Sequence, residues 1–196
     1  MSKIKRERLG MISLRVIPFF YNFLRNRTYS MIFNAKNIKV GHGLSISGSK
    51  NIFIGENVYL GNNSWLDSIG DGVIYIGDNV SCSQNVHIAA QSTVKIGNGA
   101  LIGSDVLITD HDHKFGKCFE NIIPKKRGLT VKGNTEIGEN VWLGDNVKVL
   151  SGVTLGKNVV VAANSVVTKS FSAGLVIGGI PARILEKKSN NSHGLI

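Results

Sequence analysis

A hydrophobic residue recurs at every sixth position through much of this chain, and that period constrains the fold more than any other feature. The clearest run occupies residues 137–167, where an aliphatic residue opens each hexad: Ile137, Leu143, Val149, Leu155, Val161 and Val167. A period of six matches neither the period of about 3.6 of an α-helix nor the alternation of a single strand. It is typical of a short strand and a turn, repeated along a parallel β-solenoid.

The other hexad positions support this interpretation. The fifth position lies at a corner that admits only small or β-branched side chains, and it carries Val141, Val147, Val153, Val159 and Ser165. The second and fourth positions are expected to form the turn, because Gly and Asn tolerate backbone conformations that other residues resist. They include Gly144, Gly156, Asn140, Asn146, Asn158 and Asn164. One hexad cannot bury its apolar face alone, so stability requires many stacked coils.

The same frame extends back to Val40, with three interruptions. A small insertion is predicted around residues 70–72, and a second lies between Ile88 and Ile96, which are eight positions apart instead of six. The longest break covers residues 110–136 and contains His111 and His113. A long irregular excursion from a regular scaffold is usually functional or disordered, so the candidate site is placed here.

The length of 196 residues fits one solenoid domain with short appendages. We predict an amphipathic helical segment over residues 1–36, the solenoid over 37–185 and a polar tail over 186–196. Cys82 and Cys118 form neither a disulfide framework nor a metal-ligand spacing. The sequence has no apolar run long enough to span a membrane, and a secretory signal is not expected.

Positive charge is concentrated at the N-terminus. Residues 1–39 carry nine Lys or Arg residues against Glu7 alone, which accounts for +8 of the net charge of +10. The segment reads as one or two short amphipathic helices, interrupted or kinked at Pro18. Two compatible roles are open: a cap on the end of the solenoid, or contact of residues 1–33 with an anionic membrane. The positive charge is confined to this segment, which also contains many apolar residues and matches no nucleic-acid-binding module. The sequence therefore gives little support to nucleic-acid binding.

Four motifs combine with the hexads: Asp-His-Asp-His at 110–113, Val-Trp-Leu-Gly at 141–144, Val-Val-Thr-Lys at 166–169 and Gly-Gly-Ile-Pro-Ala-Arg at 178–183. Together they resemble the hexapeptide-repeat acetyltransferases. The maltose, galactoside and nodulation-factor acetyltransferases and the O-acetyltransferases of bacterial surface polysaccharides are the most similar groups. The resemblance covers about residues 38–187. It implies an all-β solenoid, a left-handed parallel β-helix that assembles into a homotrimer with active sites between neighbouring subunits.

The resemblance also implies a donor and a general base. The donor is acetyl-CoA, with no metal, and the expected contacts are Asp145 and Ala163 through their backbone and Thr168, Lys169 and Arg183. An alcohol needs a base to attack a thioester, and histidine titrates in a suitable range. His111 is therefore predicted as general base in a direct attack, with His113 second. Asp110, Asp112 or Glu120 could orient the imidazole.

The acceptor is less defined. Ser81, Ser83 and Gln91 stand where the sugar acetyltransferases have polar or acidic sugar contacts, and Trp142 is either a stacking wall or a partly exposed hexad residue. A basic amphipathic N-terminus suits a lipid-linked glycan at the inner membrane. The sequence therefore favours O-acetylation of a surface polysaccharide such as lipopolysaccharide O-antigen, by a cytoplasmic protein with peripheral membrane contact.

Three alternatives differ in class or substrate. The first is an acetyltransferase for a free sugar or a xenobiotic. The second is a zinc carbonic anhydrase-like protein that uses His87, His111 and His113, although their spacing does not match that family. The third is a non-catalytic solenoid that binds a partner, which predicts no CoA binding and no effect of substitutions at His111.

Overall fold

The computed structural model describes residues 9–187, which form one helix followed by short strands that wind into a three-sided prism. Helix α1 spans Leu9–Ile32. The strands, in chain order, are β1 Lys39–Val40, β2 Ser45–Ser47, β3 Ile52–Ile54, β4 Tyr59–Leu60, β5 Trp65–Ser68, β6 Val73–Ile76, β7 Ser81–Cys82, β8 His87–Ala90, β9 Thr93–Ile96, β10 Leu101–Ile102, β11 Leu107–Thr109, β12 His111–His113, β13 Leu129–Val131, β14 Thr135–Ile137, β15 Trp142–Leu143, β16 Lys148–Val149, β17 Thr154–Leu155, β18 Val160–Val161, β19 Val166–Val167, β20 Leu175–Gly179 and β21 Ala182–Lys187.

Successive strands are distributed in turn over three sheets, as the six-residue period predicts. Sheet A has the order β1-β4-β7-β10-β15-β18-β20-β21, sheet B the order β19-β16-β11-β8-β5-β2, and sheet C the order β17-β14-β9-β6-β3. All neighbours in these sheets are parallel except β20 and β21, which form a closing antiparallel pair. The winding is left-handed, so the predicted left-handed parallel β-helix is confirmed. We name the three corners of the prism the A–B, B–C and C–A edges.

The first hexad positions fill the core by stacking on one another. Ile88, Ile108, Val149 and Val167 are in register on four neighbouring strands of sheet B, and all are fully buried. Such columns exist only between coils, which is why no single hexad is stable alone. Cys82 belongs to the same core, and burial raises the pKa of its thiol to about 12.

The second and fourth hexad positions, which form the turns, meet two different structural requirements. The four predicted asparagines have φ between 53° and 60°, as expected from their tolerance of the left-handed region. Gly144 and Gly156, in contrast, do not have positive φ. A Cβ at Gly144 would lie 2.7 Å from the Ala163 backbone nitrogen, and one at Gly156 would lie 2.4 Å from that of Ala173. The glycines are needed for close approach of the next coil, which corrects the conformational reason predicted for them.

The predicted interruptions all lie at the B–C edge. The first insertion is a tight turn in which the Gly72 N–H donates to the Ile69 carbonyl at 3.0 Å, and the second is a bend at Gln91 and Ser92. The long excursion leaves sheet B after Thr109 and returns to sheet C at Thr135. It contains the antiparallel pair β12–β13 and two short 3₁₀ helices, Lys117–Phe119 and Pro124–Lys126. Thr135 and Glu136, predicted as part of the excursion, belong to β14.

The N-terminal segment differs from the prediction. A single helix, one of the two predicted alternatives, is present, but it is 24 residues long instead of short, and Pro18 does not interrupt it. A proline removes only one of the helical hydrogen bonds, and the others continue on both sides. At the other end of the chain, Glu186 and Lys187 belong to β21 instead of the predicted polar tail, the rest of which lies outside the described residues.

One face of α1 covers the N-terminal end of the prism. The Ser30 hydroxyl accepts a hydrogen bond from the Ile38 N–H, and the Asn26 side chain accepts one from the Val40 N–H. Tyr29 and Phe33 pack on the core. These contacts satisfy backbone groups that sheet A would otherwise expose at its edge. No helix within residues 9–187 has both the length and the apolar character needed to cross a membrane.

Candidate active site

His111 lies where the chain leaves the coil at the B–C edge. It is the first residue of β12, and its side chain is only 13% exposed. Its Nδ1 lies 3.0 Å from Asp110 Oδ1 and 3.1 Å from Thr109 Oγ1. With Nδ1 donating to the carboxylate, Nε2 carries the free lone pair and can accept a proton. The arrangement is that of a base held in one tautomer by a neighbouring acid.

Asp110 is fixed more firmly than the other acids that the sequence left open. Its carboxylate is fully buried and accepts the N–H groups of Gln91 and Ser92, both at 2.8 Å. Burial by itself would raise the pKa of Asp110, but the hydrogen bonds from His111, Gln91 and Ser92 outweigh it and hold that pKa below its ordinary value. Asp112, in contrast, lies 3.5 Å from Lys132. Among the three acids, Asp110 is the one against the imidazole.

The structure separates the predicted site residues into two groups on different edges. Gln91, Thr168 and Lys169 lie at the B–C edge with His111, whereas Ser83, Asp145 and Ala163 lie in turns of the A–B edge. Ser81 and Trp142 are on the outer face of sheet A, where Trp142 is half exposed beside Leu101 and Val160. The width of sheet B separates the two groups within one chain. His111 and the A–B residues are therefore not brought together by a single subunit.

The A–B edge offers two backbone donors next to one another. The Asp145 carboxylate accepts the Ser104 N–H of the preceding coil at 2.7 Å, as the Asn62 side chain does for the His42 N–H at 2.8 Å. Ala163, in the next coil, has no side-chain acceptor to continue this ladder. Within residues 9–187, neither the Asp145 N–H nor the Ala163 N–H donates to another group. Both N–H groups are available to an external acceptor. From the sequence, their role as backbone contacts to CoA followed only from the family resemblance.

Thr168, Lys169 and Arg183 do come together. They line one cleft of about 510 Å³ at the C-terminal end of the prism, with Phe171 and Pro181. Arg183 reaches the cleft because β21 folds back on β20. Two cations and a hydroxyl in one cleft suit a phosphate group.

Comparison with known proteins shows which family has these features. The profile of the bacterial transferase hexapeptide family (six repeats) matches residues 134–169. WbbJ of Escherichia coli K12, whose assignment as a lipopolysaccharide biosynthesis O-acetyl transferase is provisional, is 43% identical over 152 residues, 75% of this chain and 77% of WbbJ. The chain belongs to the hexapeptide-repeat acetyltransferases. The galactoside O-acetyltransferase of the same organism is 32% identical, over 65% of this acetyltransferase and 63% of that protein.

Solved structures agree with this membership. A galactoside acetyltransferase in complex with coenzyme A has a TM-score of 0.57 and 27% identity, over 82% of this acetyltransferase and 70% of that chain. A serine-to-alanine mutant of AntD, an N-acyltransferase from Bacillus cereus, was solved in complex with coenzyme A and dTDP-4-amino-4,6-dideoxyglucose. Its TM-score to this chain is 0.69. At 18% identity over 84% of this chain and 89% of AntD, that likeness shows the fold. The expectation of an acetyl-CoA-dependent acetyltransferase is confirmed at the level of the family.

His87 is a residue of this acetyltransferase that sequence reasoning considered only as a zinc ligand. It lies on β8 and stacks on Trp65 of the neighbouring strand, with ring centroids 4.1 Å apart. Burial lowers the pKa of His87, Asp67 opposes that effect, and His111 adds to it. Strand β8 pairs with β11, the strand that leads into Asp110 and His111, so His87 lies one coil from the candidate base. The spacing of Trp65 and His87 by one coil, both at outward positions, was the signal that could have identified the pair.

The His87 ring also has an unsatisfied atom. Its Nε2 is buried and has no hydrogen-bond partner among the described residues. His113, ranked second as base, lies at the far end of β12 and is exposed. Within residues 9–187, no three His, Cys, Asp or Glu side chains form a group that could hold a metal ion.

Proposed function

We propose that this chain transfers an acetyl group from acetyl-CoA to a hydroxyl of a sugar, in a bacterial surface polysaccharide such as O-antigen or in its lipid-linked precursor. The observation that carries the proposal is the contact of His111 with the buried Asp110 at the break in the repeat. The likeness to WbbJ and to galactoside acetyltransferases supports the sugar acceptor. In this proposal residues 37–185 form the catalytic domain.

The geometry supports direct transfer without an acyl-enzyme. His111 Nε2 removes the proton of the acceptor hydroxyl as its oxygen attacks the thioester carbonyl. Asp110 stabilises the imidazolium that forms, and a backbone N–H stabilises the oxyanion of the tetrahedral intermediate. When the intermediate collapses, the C–S bond breaks and the proton passes from Nε2 to the CoA sulfur. Each group returns to its starting state.

A complete site requires two subunits. The base lies at the B–C edge, whereas the free Asp145 and Ala163 N–H groups lie at the A–B edge of the same prism. Packing the A–B edge of one chain beside the B–C edge of another brings the two groups together. Because the two edges are different surfaces, such contacts are heterologous, and with a threefold rotation they close into a ring. We propose a homotrimer, with acetyl-CoA and the acceptor sugar between neighbouring subunits and Ser81, Ser83, Gln91 and Trp142 on the acceptor side.

The donor site yields a direct test. Replacing Lys169 or Arg183 with Ala is expected to weaken CoA binding by about 10- to 100-fold each, because a charged hydrogen bond to phosphate contributes about 1.5–3 kcal/mol. Calorimetric titration with CoA and with dephospho-CoA measures this. A substitution that weakens binding of CoA but not of dephospho-CoA removes a contact to the 3′-phosphate.

Lys157→Ala is the matched control for the donor site. Lys157 lies in the same C-terminal coils but pairs with Glu139 at 3.0 Å, away from the cleft. It should bind CoA like the unmodified protein. A folded protein that binds no CoA would contradict the proposed function.

The outward face of α1 supports an acceptor presented at a membrane. Phe20, Leu24 and Met31 are each more than 60% exposed and lie on the face opposite the cap contacts, with Arg27 between them. An apolar stripe with basic neighbours suits the surface of an anionic bilayer. Capping the prism and contacting a membrane are therefore compatible, because they use opposite faces of one helix.

A vesicle assay tests this role of α1. The full chain should sediment with anionic vesicles at low salt, and Phe20→Ser with Leu24→Ser should lower its partitioning at least about tenfold, since each buried side chain contributes about 1.5–3 kcal/mol. Ile180→Ser, at an equally exposed site outside α1, is the control. If the unmodified chain stays in the supernatant, the membrane contact is wrong.

A further inference from the structure

A groove of about 610 Å³ runs along sheet C beside the C–A edge. The coils build it alike: a large outward residue is followed two positions later by glycine, as at Phe53 and Gly55 and at Tyr75 and Gly77. The next two coils repeat the pattern with Lys95 and Glu136 as the outward residues. From Phe53 to Glu136 the groove crosses three strand spacings, about 14 Å. It is therefore longer than one sugar ring.

The first half of the groove has an aromatic wall. Phe53 and Tyr75 are in register on β3 and β6, with ring centroids 5.1 Å apart and planes inclined by 15°. Such a cross-strand pair stabilises the sheet. It still leaves Phe53 51% and Tyr75 43% exposed, so a large part of both side chains faces the groove. Two aromatic side chains side by side offer an apolar platform that follows the direction of the groove.

The rest of the lining is polar. Lys95 and Glu136 continue the row of the aromatic residues, and Asn98 and Glu139 line the groove from the turns at the C–A edge. An acyl chain or an apolar protein surface here would remove the charges of Lys95 and Glu136 from water without pairing them. A glycan suits both the aromatic half and the polar half of the groove. Its C–H faces stack on aromatic rings, and its hydroxyl groups form hydrogen bonds with amide, ammonium and carboxylate groups.

The groove lies one sheet width from the candidate active site. The Ser92 N–H donates to Asp110 Oδ2 at the B–C edge, and sheet C begins at the next residue. Lys95 lies three residues further along β9, about 10 Å at the rise of an extended strand. A chain of sugars can therefore extend from the acceptor position at His111 into the groove.

We propose that this groove binds consecutive sugar rings of a linear glycan, with the rings stacked on Phe53 and Tyr75, while another ring of the same glycan is acetylated at His111. The inference rests on the proposed function, and it makes the acceptor an oligosaccharide or polysaccharide instead of a free sugar. Phe53 and Tyr75 then determine the preference for chain length without taking part in the chemistry.

Binding and acetylation are measured separately to test this. The binding probe is O-polysaccharide released by mild acid from lipopolysaccharide of several serotypes, compared with its own monosaccharide hydrolysate. Calorimetry should show tighter binding of at least one intact chain than of its hydrolysate. Phe53→Ala and Tyr75→Ala should each weaken chain binding about tenfold, and Tyr75→Phe, which keeps the ring, should restore it. Tyr59→Ala, at a similarly exposed aromatic residue on sheet A, is the matched control.

Three results would overturn the groove assignment. These are equal binding of chain and hydrolysate, equal losses in Tyr59→Ala and Tyr75→Ala, or a changed sedimentation coefficient in Phe53→Ala, which would mean that a second copy of the chain covers the rings. CoA binding and thiol release test the proposed function independently. Chain binding without CoA binding would reject the transferase reaction and retain the groove, and the reverse result would reject the groove alone.

Discussion

Replacing His111 with Ala is expected to lower acetyl transfer by about 10²- to 10⁴-fold, the usual contribution of a general base. The change should leave CoA affinity nearly unchanged, and it should cost about 1 kcal/mol of stability because the buried Asp110 carboxylate loses one hydrogen bond. His111 is outside the stacked core, and its side-chain hydrogen bonds among the described residues go to Thr109 and Asp110 only. Thiol release from acetyl-CoA in the presence of acceptor measures the turnover, and calorimetry with CoA measures the affinity.

His113→Ala is the matched control, since His113 lies two residues away on the same strand and is exposed. It should retain most of the activity. The opposite result, with His113→Ala inactive and His111→Ala active, would show that the base has been assigned to the wrong histidine. Equal activity of both variants and the unmodified protein would favour the non-catalytic solenoid.

Replacing Asp110 with Asn should lower both activity and stability, because one carboxylate serves the site and the fold. The carboxylate accepts three hydrogen bonds, from His111 Nδ1 and from the Gln91 and Ser92 N–H groups. An amide cannot accept all three, because its NH₂ would face a donor. We expect turnover to fall on the order of 10²-fold or more through loss of the favoured tautomer. We also expect unfolding to cost about 1–3 kcal/mol less, from an unsatisfied buried donor.

The stability difference should depend on pH in a defined direction. The pKa of Asp110 is lower in the folded protein than in the unfolded chain, so the unfolded chain takes up the proton first on acidification. The stabilisation is therefore complete above the ordinary pKa of Asp, about 3.9, and disappears as the pH falls through the lower folded value. Urea unfolding near neutrality and in acid should show Asp110→Asn losing less stability on acidification than the unmodified protein.

Asp112→Asn controls for charge in this experiment. Asp112 is a partly exposed neighbour whose carboxylate pairs with Lys132 at 3.5 Å, and exposed pairs contribute little. Its pH dependence of unfolding should match that of the unmodified protein. If Asp110→Asn has the same acid sensitivity of unfolding as Asp112→Asn and the unmodified protein, the buried Asp110 carboxylate does not stabilise the fold in the way proposed.

The sequence by itself determined the fold and the position of the exceptional residues. Six-residue spacing from Val40 to Val167 predicted the coils, because only side chains at equivalent positions can stack in a solenoid core. The same frame showed that the regular hexads stop after Ile108, and His111 follows that residue by three positions. Breaks in a strict period are visible in one dimension, so the insertion at residues 70–72 and the excursion after Thr109 were predicted correctly.

Tertiary structure alone decided which residues meet across coils. Asp110 contacts Gln91 and Ser92, which are 18 or 19 positions away, and Phe53 stacks on Tyr75, 22 positions along. Insertions change the number of residues in a coil, so these partners follow from strand register and not from a constant spacing. Helix α1 is longer than predicted, and its contacts with the prism at Asn26 and Ser30 stabilise its C-terminal half beyond its local propensity. The division of the site between two edges has the same origin, since the turning of the coil in space decides which side of the prism each residue occupies.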